Sequence, residues 1–384
     1  MRTSKYISIL LIILLLQACL PKLQLEKSAI INTRGVDLLE EGDQTKIETT
    51  IITYLFDPNA QNITSILFGK GNTIKDARDD AANQSSFILT PGQIRLELYG
   101  KEAAEKGILP YLNTLVRDAR VSEKMQLAIT NQTAKEVLIG QQNAIKINTA
   151  QYLQDLIMKE IKRNALPDNS LLTFSGLIEQ VGDDAILPIV DVKGERPTLV
   201  GAALFDGDKY VEEISLNQAF LINMMEKRVK ETPLDATIPL EDYLDMIVVE
   251  EDKEAITEEE FIYVFLSLYN GKGKLKLVNE ETLHYKADIK MEVELLEISV
   301  LMDIKTKAAS KKVEQGVSQF FESEYEKLFA TLQEVNSDAF GLGRIYKSTR
   351  KGSKTTIKEW TELFPDTTVD FNVDVKILNY GTIE

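Results

Sequence analysis

Apolar and polar positions along this chain recur with two periods, two and close to 3.6, and the two interleave from end to end. Residues 29–39 read as a strand with Gly35 in it, and residues 45–56 (TKIETTIITYLF) as its partner. Ile, Thr, Tyr and Phe suit a pleated, half-buried surface. Glu41-Gly42-Asp43-Gln44 has the chemistry of a reversal, and Asp57-Pro58-Asn59 closes the hairpin. Further strands are predicted at 63–68, 94–99 and 125–130. Helical spacing places Ile74, Ala77, Ala81 and Ala82 on one face of 73–87, with Thr73 able to cap. It returns over 101–116, broken near Gly107 and Pro110, and again from 133. Over 149–164, Tyr152, Leu153, Leu156, Ile157 and Ile161 share a face. Residues 171–181 read as strand or short helix, and 189–193 as a strand.

In the second half, 199–205 and 210–214 form a predicted hairpin about Asp206-Gly207-Asp208. A helix opens at Ser215 or Asn217 and reaches about Val229. Residues 233–260 are acidic and locally ambiguous. Residues 261–269 are aromatic and β-branched, and the pattern predicts a turn at Asn270-Gly271-Lys272-Gly273 and a return strand at 275–278. A long alternating strand covers 285–302. Val313, Val317, Phe320, Phe321, Leu328, Phe329, Leu332 and Val335 then form the widest apolar stripe of the chain. Residues 368–378 alternate as a last strand with one buried and one wet face. Strands mixed with helices in this way predict an α+β fold, three domains each with a mixed or antiparallel sheet packed by helices. Lys193-Gly194-Glu195-Arg196-Pro197 is the clearest interior boundary. The expected division is 29–196, 197–280 and 281–384, behind segments 1–18 and 19–28.

Composition changes this picture at the N-terminus. Arg2 and Lys5 precede an apolar run, residues 7–16, that is shorter than the roughly 20 residues a spanning helix needs. Leu16-Gln17-Ala18-Cys19 follows, and Cys19 is the only cysteine of the 384 residues. The stretch resembles a bacterial lipobox, in which the thiol is alkylated by a diacylglyceryl group and the chain is cut just before it. The expectation is a signal peptide over 1–18, lipidation at Cys19 and a tether over 19–28. A signal peptide with a chance cysteine, or a helix that stays in the bilayer, are the alternatives. Loss of residues 1–18 removes two cations and no acid, taking the formal charge from −16 to −18. A surface this acidic argues against nucleic acid and against a broad electrostatic hold on anionic lipid.

Candidate chemistry is sparse. With one histidine, His284, and one cysteine, no zinc cluster can be assembled. Asp206-Gly207-Asp208 lacks the spaced oxygen ligands of a calcium loop. Gly69-Lys70-Gly71-Asn72-Thr73 lacks the spacing of a P-loop, and no Gly-x-Ser-x-Gly elbow is present. The acid runs Glu250-Glu251-Asp252 and Glu258-Glu259-Glu260 read as solvated. The residues therefore point to a chain with no catalytic, metal or cofactor site.

Four segments behind the lipobox carry a resemblance. They are Gly35-Val36-Asp37 with the strand pair after it, and residues 93–121 with Glu102, Ala103, Lys106, Gly107, Arg117 and Asp118. The third is GAALFDGDKYVEEI at 201–214. The fourth is Ser337-Asp338-Ala339-Phe340-Gly341-Leu342-Gly343 with Trp360, Phe364-Pro365 and residues 373–381. In this order they resemble the C subunits of spore germinant receptors, the Ger(x)C lipoproteins. The resemblance implies three α+β domains on the outer face of the spore inner membrane. It implies assembly with integral membrane A and B subunits into a receptor for small nutrients, and no catalysis. An extracytoplasmic solute-binding lipoprotein is the alternative, although no internal duplication suggests its two lobes.

Overall fold

The computed structural model describes residues 25–42, 44–56, 63–92, 94–140, 149–194, 196–248, 260–304, 306–349 and 355–380. Cys19, segment 1–18, most of the tether, the turn at Asp57-Pro58-Asn59 and the acid runs between 250 and 259 lie outside them.

The first sheet begins with β1 (Ser28–Glu41) and β2 (Gln44–Leu55), an antiparallel hairpin in register from Glu41 opposite Gln44 to Ala29 opposite Leu55. Next come β3 (Thr64–Gly71) and α1 (Ile74–Ala82), whose Thr73 hydroxyl accepts the Asp76 N–H as predicted. After β4 (Ile88–Thr90) and β5 (Leu96–Gly100), the helical stretch divides into α2 (Lys101–Lys106) and α3 (Leu109–Val116). Gly107, at φ +108°, makes the break, and Pro110 sits in the first turn of α3, where its missing N–H is not needed. There follow β6 (Gln126–Thr130), α4 (Ala134–Ile139), α5 (Thr149–Lys162) and α6 (Leu171–Ile178). The ambiguous segment at 171 is thus helical, because Ser170 supplies a cap to the Thr173 N–H. The sheet closes with β7 (Ile186–Lys193), β8 (Arg196–Asp206) and β9 (Lys209–Ile214).

These nine strands run in the order β3-β2-β1-β5-β6-β7-β8-β9, with β4 beside β1. The β1–β5, β5–β6 and β6–β7 pairs are parallel and the outer ones antiparallel. Lys193 pairs with Arg196, so the stretch Lys193-Gly194-Glu195-Arg196-Pro197, read above as a boundary, connects two strands of one sheet.

α7 (Leu216–Glu226), capped reciprocally by Ser215 and Gln218, leads to the second sheet. Its strands are β10 (Thr232–Pro239), β11 (Phe261–Asn279), β12 (His284–Ile298) and, after α8 (Lys307–Glu334), α9 (Leu342–Thr349) and α10 (Ile357–Leu363), β13 (Thr368–Tyr380). The order is β10-β11-β12-β13, with β13 parallel to β12. The strands of the described residues thus gather into two sheets rather than one for each of three domains. Most of the predicted stripe of α8 is buried against the second sheet, Val313, Val317, Phe321, Leu328, Phe329 and Leu332 included.

The expected turn at Asn270-Gly271-Lys272-Gly273 is absent. β11 runs straight through it, with a bulge between Leu268 and Asn270, and the reversal comes only at 279–284. The glycines serve close approach instead. A Cβ added at Gly271 would lie 2.6 Å from Met224 Sδ, and one at Gly273 would lie 2.5 Å from Met225 Sδ and 3.1 Å from Met225 Cα. α7 lies directly on this part of the strand.

β13 is an edge strand, and α8 pairs its free N–H groups. Val373 N–H donates to Glu322 Oε1 at 2.9 Å, Val375 N–H to Ser318 Oγ at 3.1 Å, and Ile377 N–H to Glu314 Oε1 at 2.8 Å. Four helical residues rise about 6 Å and two strand residues about 6.6 Å, so side chains four apart on a helix meet N–H groups two apart on a strand.

Gly273→Val is expected to lower unfolding stability by about 1–3 kcal/mol through overpacking against α7. Lys272→Val, on the solvent face, should change it by about 0.5 kcal/mol or less. Urea midpoints of the two variants compare them directly.

Candidate functional site

Cys19, the residue the sequence singles out, lies outside the described residues, so no geometry attaches to it. The described residues concentrate polar chemistry at another place, the joint between the two sheets. It is built from residues 337–343, the Ser-Asp-Ala-Phe-Gly-Leu-Gly segment. Asn336 adopts φ 57° and ends α8, the left-handed conformation that commonly closes a helix. The chain then turns at Gly341, φ +73°, into α9.

Asp338 organises this turn. Its Oδ1 accepts the Leu342 N–H at 2.9 Å, and its Oδ2 accepts the Gly343 N–H at 2.8 Å and the Trp360 indole N–H at 2.9 Å. One carboxylate thereby starts α9 and positions the ring of α10. Asp184 ties the same segment to the first sheet. Its Oδ2 accepts the Asp338 N–H at 2.8 Å, its own N–H donates to the Asp338 carbonyl at 3.1 Å, and its Oδ1 accepts the Gly207 N–H at 3.1 Å. Alongside, the Arg344 N–H donates to the Gly182 carbonyl at 3.1 Å, and Arg344 Nη1 lies 3.2 Å from Asp183 Oδ2. Gly182 and Gly343 face each other so closely that a Cβ on Gly343 would sit 2.7 Å from Gly182 Cα and 2.5 Å from Trp360 Cε2.

Burial sets the electrostatics. It pushes the Asp338 carboxyl well above its ordinary range, against the opposing pull of the Gly343, Leu342 and indole donors. It raises Asp184 to about 6, opposed by the Asp338 and Gly207 N–H groups. It also raises Asp183, with Arg344 opposing.

A cleft of about 250 Å³ opens beside the joint, lined by Asp168, Phe174, Asp183, Ile222, Glu226 and Arg344 among others. Its lining carries carboxylates, amides and apolar groups, and no serine, cysteine or histidine. Among the described residues, no group of three or more His, Cys, Asp and Glu side chains is placed to hold a metal ion. His284 stands elsewhere, its Nε2 2.9 Å from Asp370 Oδ2 on the neighbouring strand. The chemistry of the joint is that of hydrogen-bond acceptors fixing backbone.

Other singled-out residues take structural positions. Asp208, in the predicted hairpin turn, accepts the Leu109 N–H on Oδ2 at 3.0 Å and the Ile108 N–H on its carbonyl at 2.9 Å, capping α3. Asp37 accepts the Ala134 and Lys135 N–H groups at 2.7 and 3.0 Å and so holds the start of α4. Asp118 forms a two-bond fork with Arg120. Sequence reasoning passed over Asp184 and Arg344. The only local signal was the adjacency of Asp183 and Asp184 to Gly182. The second sheet also presents Phe261, Tyr263, Phe265 and Tyr269 of β11 on the face away from α8, all exposed.

These features define an α+β protein of two sheets pinned together by buried carboxylates, and that fold is known. The crystal structure of the GerBC protein superposes with a TM-score of 0.55, covering 90% of this chain and 97% of that one at 15% identity. Residues 21–192 match the spore germination protein N-terminal domain, and residues 200–381 match the spore germination B3/GerAC-like C-terminal domain. The two matches meet across the β7–β8 turn. Spore germination protein GerQC of Bacillus cereus is 22% identical over 381 residues, 99% of this chain and 100% of that protein. The chain belongs to the GerAC-like family of spore germination proteins.

Asp338→Ala is expected to destabilise the protein by about 3 kcal/mol or more, because three buried donors lose their acceptor at roughly 1–3 kcal/mol each. Trp360 is the only tryptophan, so its fluorescence should shift to the red in this variant. The Asp184 carboxyl, raised from 3.8 to about 6, binds a proton more tightly folded than unfolded. Its contribution is therefore full below pH 4 and is lost as pH rises through about 6. The stability advantage of the wild type over Asp184→Ala should shrink across that window when denaturation is followed from pH 4 to 7.

Proposed function

We propose that this chain is the lipid-anchored, non-catalytic C subunit of a nutrient germinant receptor, needed for spore germination. The observation that carries the reading is the pair of family matches, which together span residues 21–192 and 200–381. Its anchor is a diacylglyceryl group on Cys19, left at the N-terminus once residues 1–18 are removed. No helix among the described residues is long and apolar enough to cross a membrane, which fits attachment by lipid. The folded body stands on the outer face of the spore inner membrane and assembles there with the integral membrane A and B subunits. Nutrient is sensed by that assembly. The joint at Asp184 and Asp338 supports this role by keeping the two sheets in one fixed relation, so that a partner meets a single rigid surface.

Cys19→Ala tests the reading. Fractionated spores of the variant are expected to lose the protein from the inner membrane and to respond to nutrient poorly or not at all. Retention in the inner membrane with an unchanged nutrient response would count against the anchor and against the role built on it.

A further inference from the structure

The protein carries a formal charge of −16, yet one groove gathers five cations. It has a volume of about 630 Å³ and lies between β1, α1 and the segment after α3. Arg34 of β1 forms its floor. The side chain is 5% exposed and sits beside Glu97 of β5, its register partner, which is fully buried. Arg34 Nε donates to Glu97 Oε2 at 2.9 Å and Nη2 to Oε1 at 2.7 Å. This fork fixes the plane of the guanidinium. It leaves Nη1 without a hydrogen-bond partner among the described residues.

Lys75 and Arg78 of α1 and Arg117 and Arg120 after α3 complete the ring. Arg78 is met by Asp79, at 3.2 Å from Nε and 3.0 Å from Nη2, and Arg120 by Asp118, at 2.9 and 2.8 Å. Lys75 and Arg117 form none of the ion pairs of the described residues. The remaining acids of α1 are turned to other work: Asp76 accepts the Asn72 N–H at 3.0 Å and Asp80 the Lys70 N–H at 2.9 Å. Five cations thus face three carboxylates, Glu97, Asp79 and Asp118, an excess of two positive charges. Ile74, Pro91 and Ile94 supply an apolar wall.

A site with two uncompensated cations and one fixed buried donor matches a doubly charged tetrahedral anion better than a single carboxylate. A phosphate monoester carries about −1.5 to −2 at neutral pH. We propose that this groove binds a phosphate monoester group. Lys75 and Arg117 supply its uncompensated charge, Arg34 Nη1 its fixed donor, and the apolar wall contacts the body that bears the phosphate. That body is either a small soluble molecule or a lipid whose headgroup is a bare phosphate.

The test uses residues 19–384 with Cys19→Ala, so that neither an attached lipid nor the apolar run at 7–16 holds the protein to vesicles. Two probes separate the sources: glycerol 3-phosphate followed by calorimetry, and phosphatidylcholine vesicles with or without phosphatidic acid followed by co-sedimentation. Saturable binding to glycerol 3-phosphate supports a soluble ligand, and binding to phosphatidic acid vesicles alone supports the headgroup. In either case Lys75→Ala/Arg117→Ala should weaken binding at least tenfold, while Lys274→Ala/Lys276→Ala on β11 should leave it unchanged. Both pairs are exposed, and unchanged thermal midpoints confirm that the fold is kept; Lys75→Gln alone provides a milder second variant. Binding to neither probe, binding that survives loss of Lys75 and Arg117, or equal binding to phosphatidylglycerol vesicles would overturn the proposal.

Discussion

A carboxylate can be buried only where donors replace the water it gives up, and this constraint governs how the protein is put together. Asp338 is 1% exposed and finds its donors on two segments that follow it, the start of α9 and the indole of Trp360. Its own backbone is gripped by Asp184, which also holds the β8–β9 turn at Gly207. Satisfying one charge thus brings residues near 182, 207, 338, 343 and 360 to one place. Gly182 and Gly343 make this possible by letting two backbones and a ring meet without a side chain between them. The apolar core agrees with the polar joint. One continuous cluster includes Leu96 and Leu98 of the first sheet, Met224 of α7, Leu266 and Val293 of the second sheet, and Tyr325 of α8.

The second sheet shows how the chain manages an exposed strand edge. Unpaired N–H groups on an edge invite another strand. Glu314, Ser318 and Glu322 occupy those of β13, while their helix covers the sheet with its apolar face. One helix therefore does two jobs, each read by a different face. The aromatic face of β11 stays exposed, so the second sheet is packed on one side only.

Much of this was legible in the residues themselves. The cap at Thr73, the helix starts at 133 and at Ser215, the break at Gly107, and the apolar stripe of α8 are local signals, and each appears where its pattern placed it, Ser215 being one of the two openers its pattern offered. The failures share a physical cause. Gly271 and Gly273 look the same whether they permit a turn or the approach of a helix, and what decides is Met224 and Met225, nearly fifty residues earlier. Around Gly194 the two levels differ: the pairing of Lys193 with Arg196 keeps one sheet continuous, while the two family matches meet at the same place. Asp338 could be seen as part of a family segment. Its role could not, because its grip comes from Asp184 and its ring partner from Trp360. Arg34 and Glu97 are likewise 63 positions apart in sequence and neighbours in the sheet.

The structure is an acidic body of two sheets, and the function proposed for it places that body in the cell by a lipid on Cys19. The most direct test of that placement is mass spectrometry of the N-terminal peptide of the protein taken from spore membranes. The account predicts a peptide that begins at Cys19 and carries the mass of a diacylglyceryl group on the thiol. A peptide that runs intact through Ala18 and Cys19, or one with an unmodified Cys19, would contradict it.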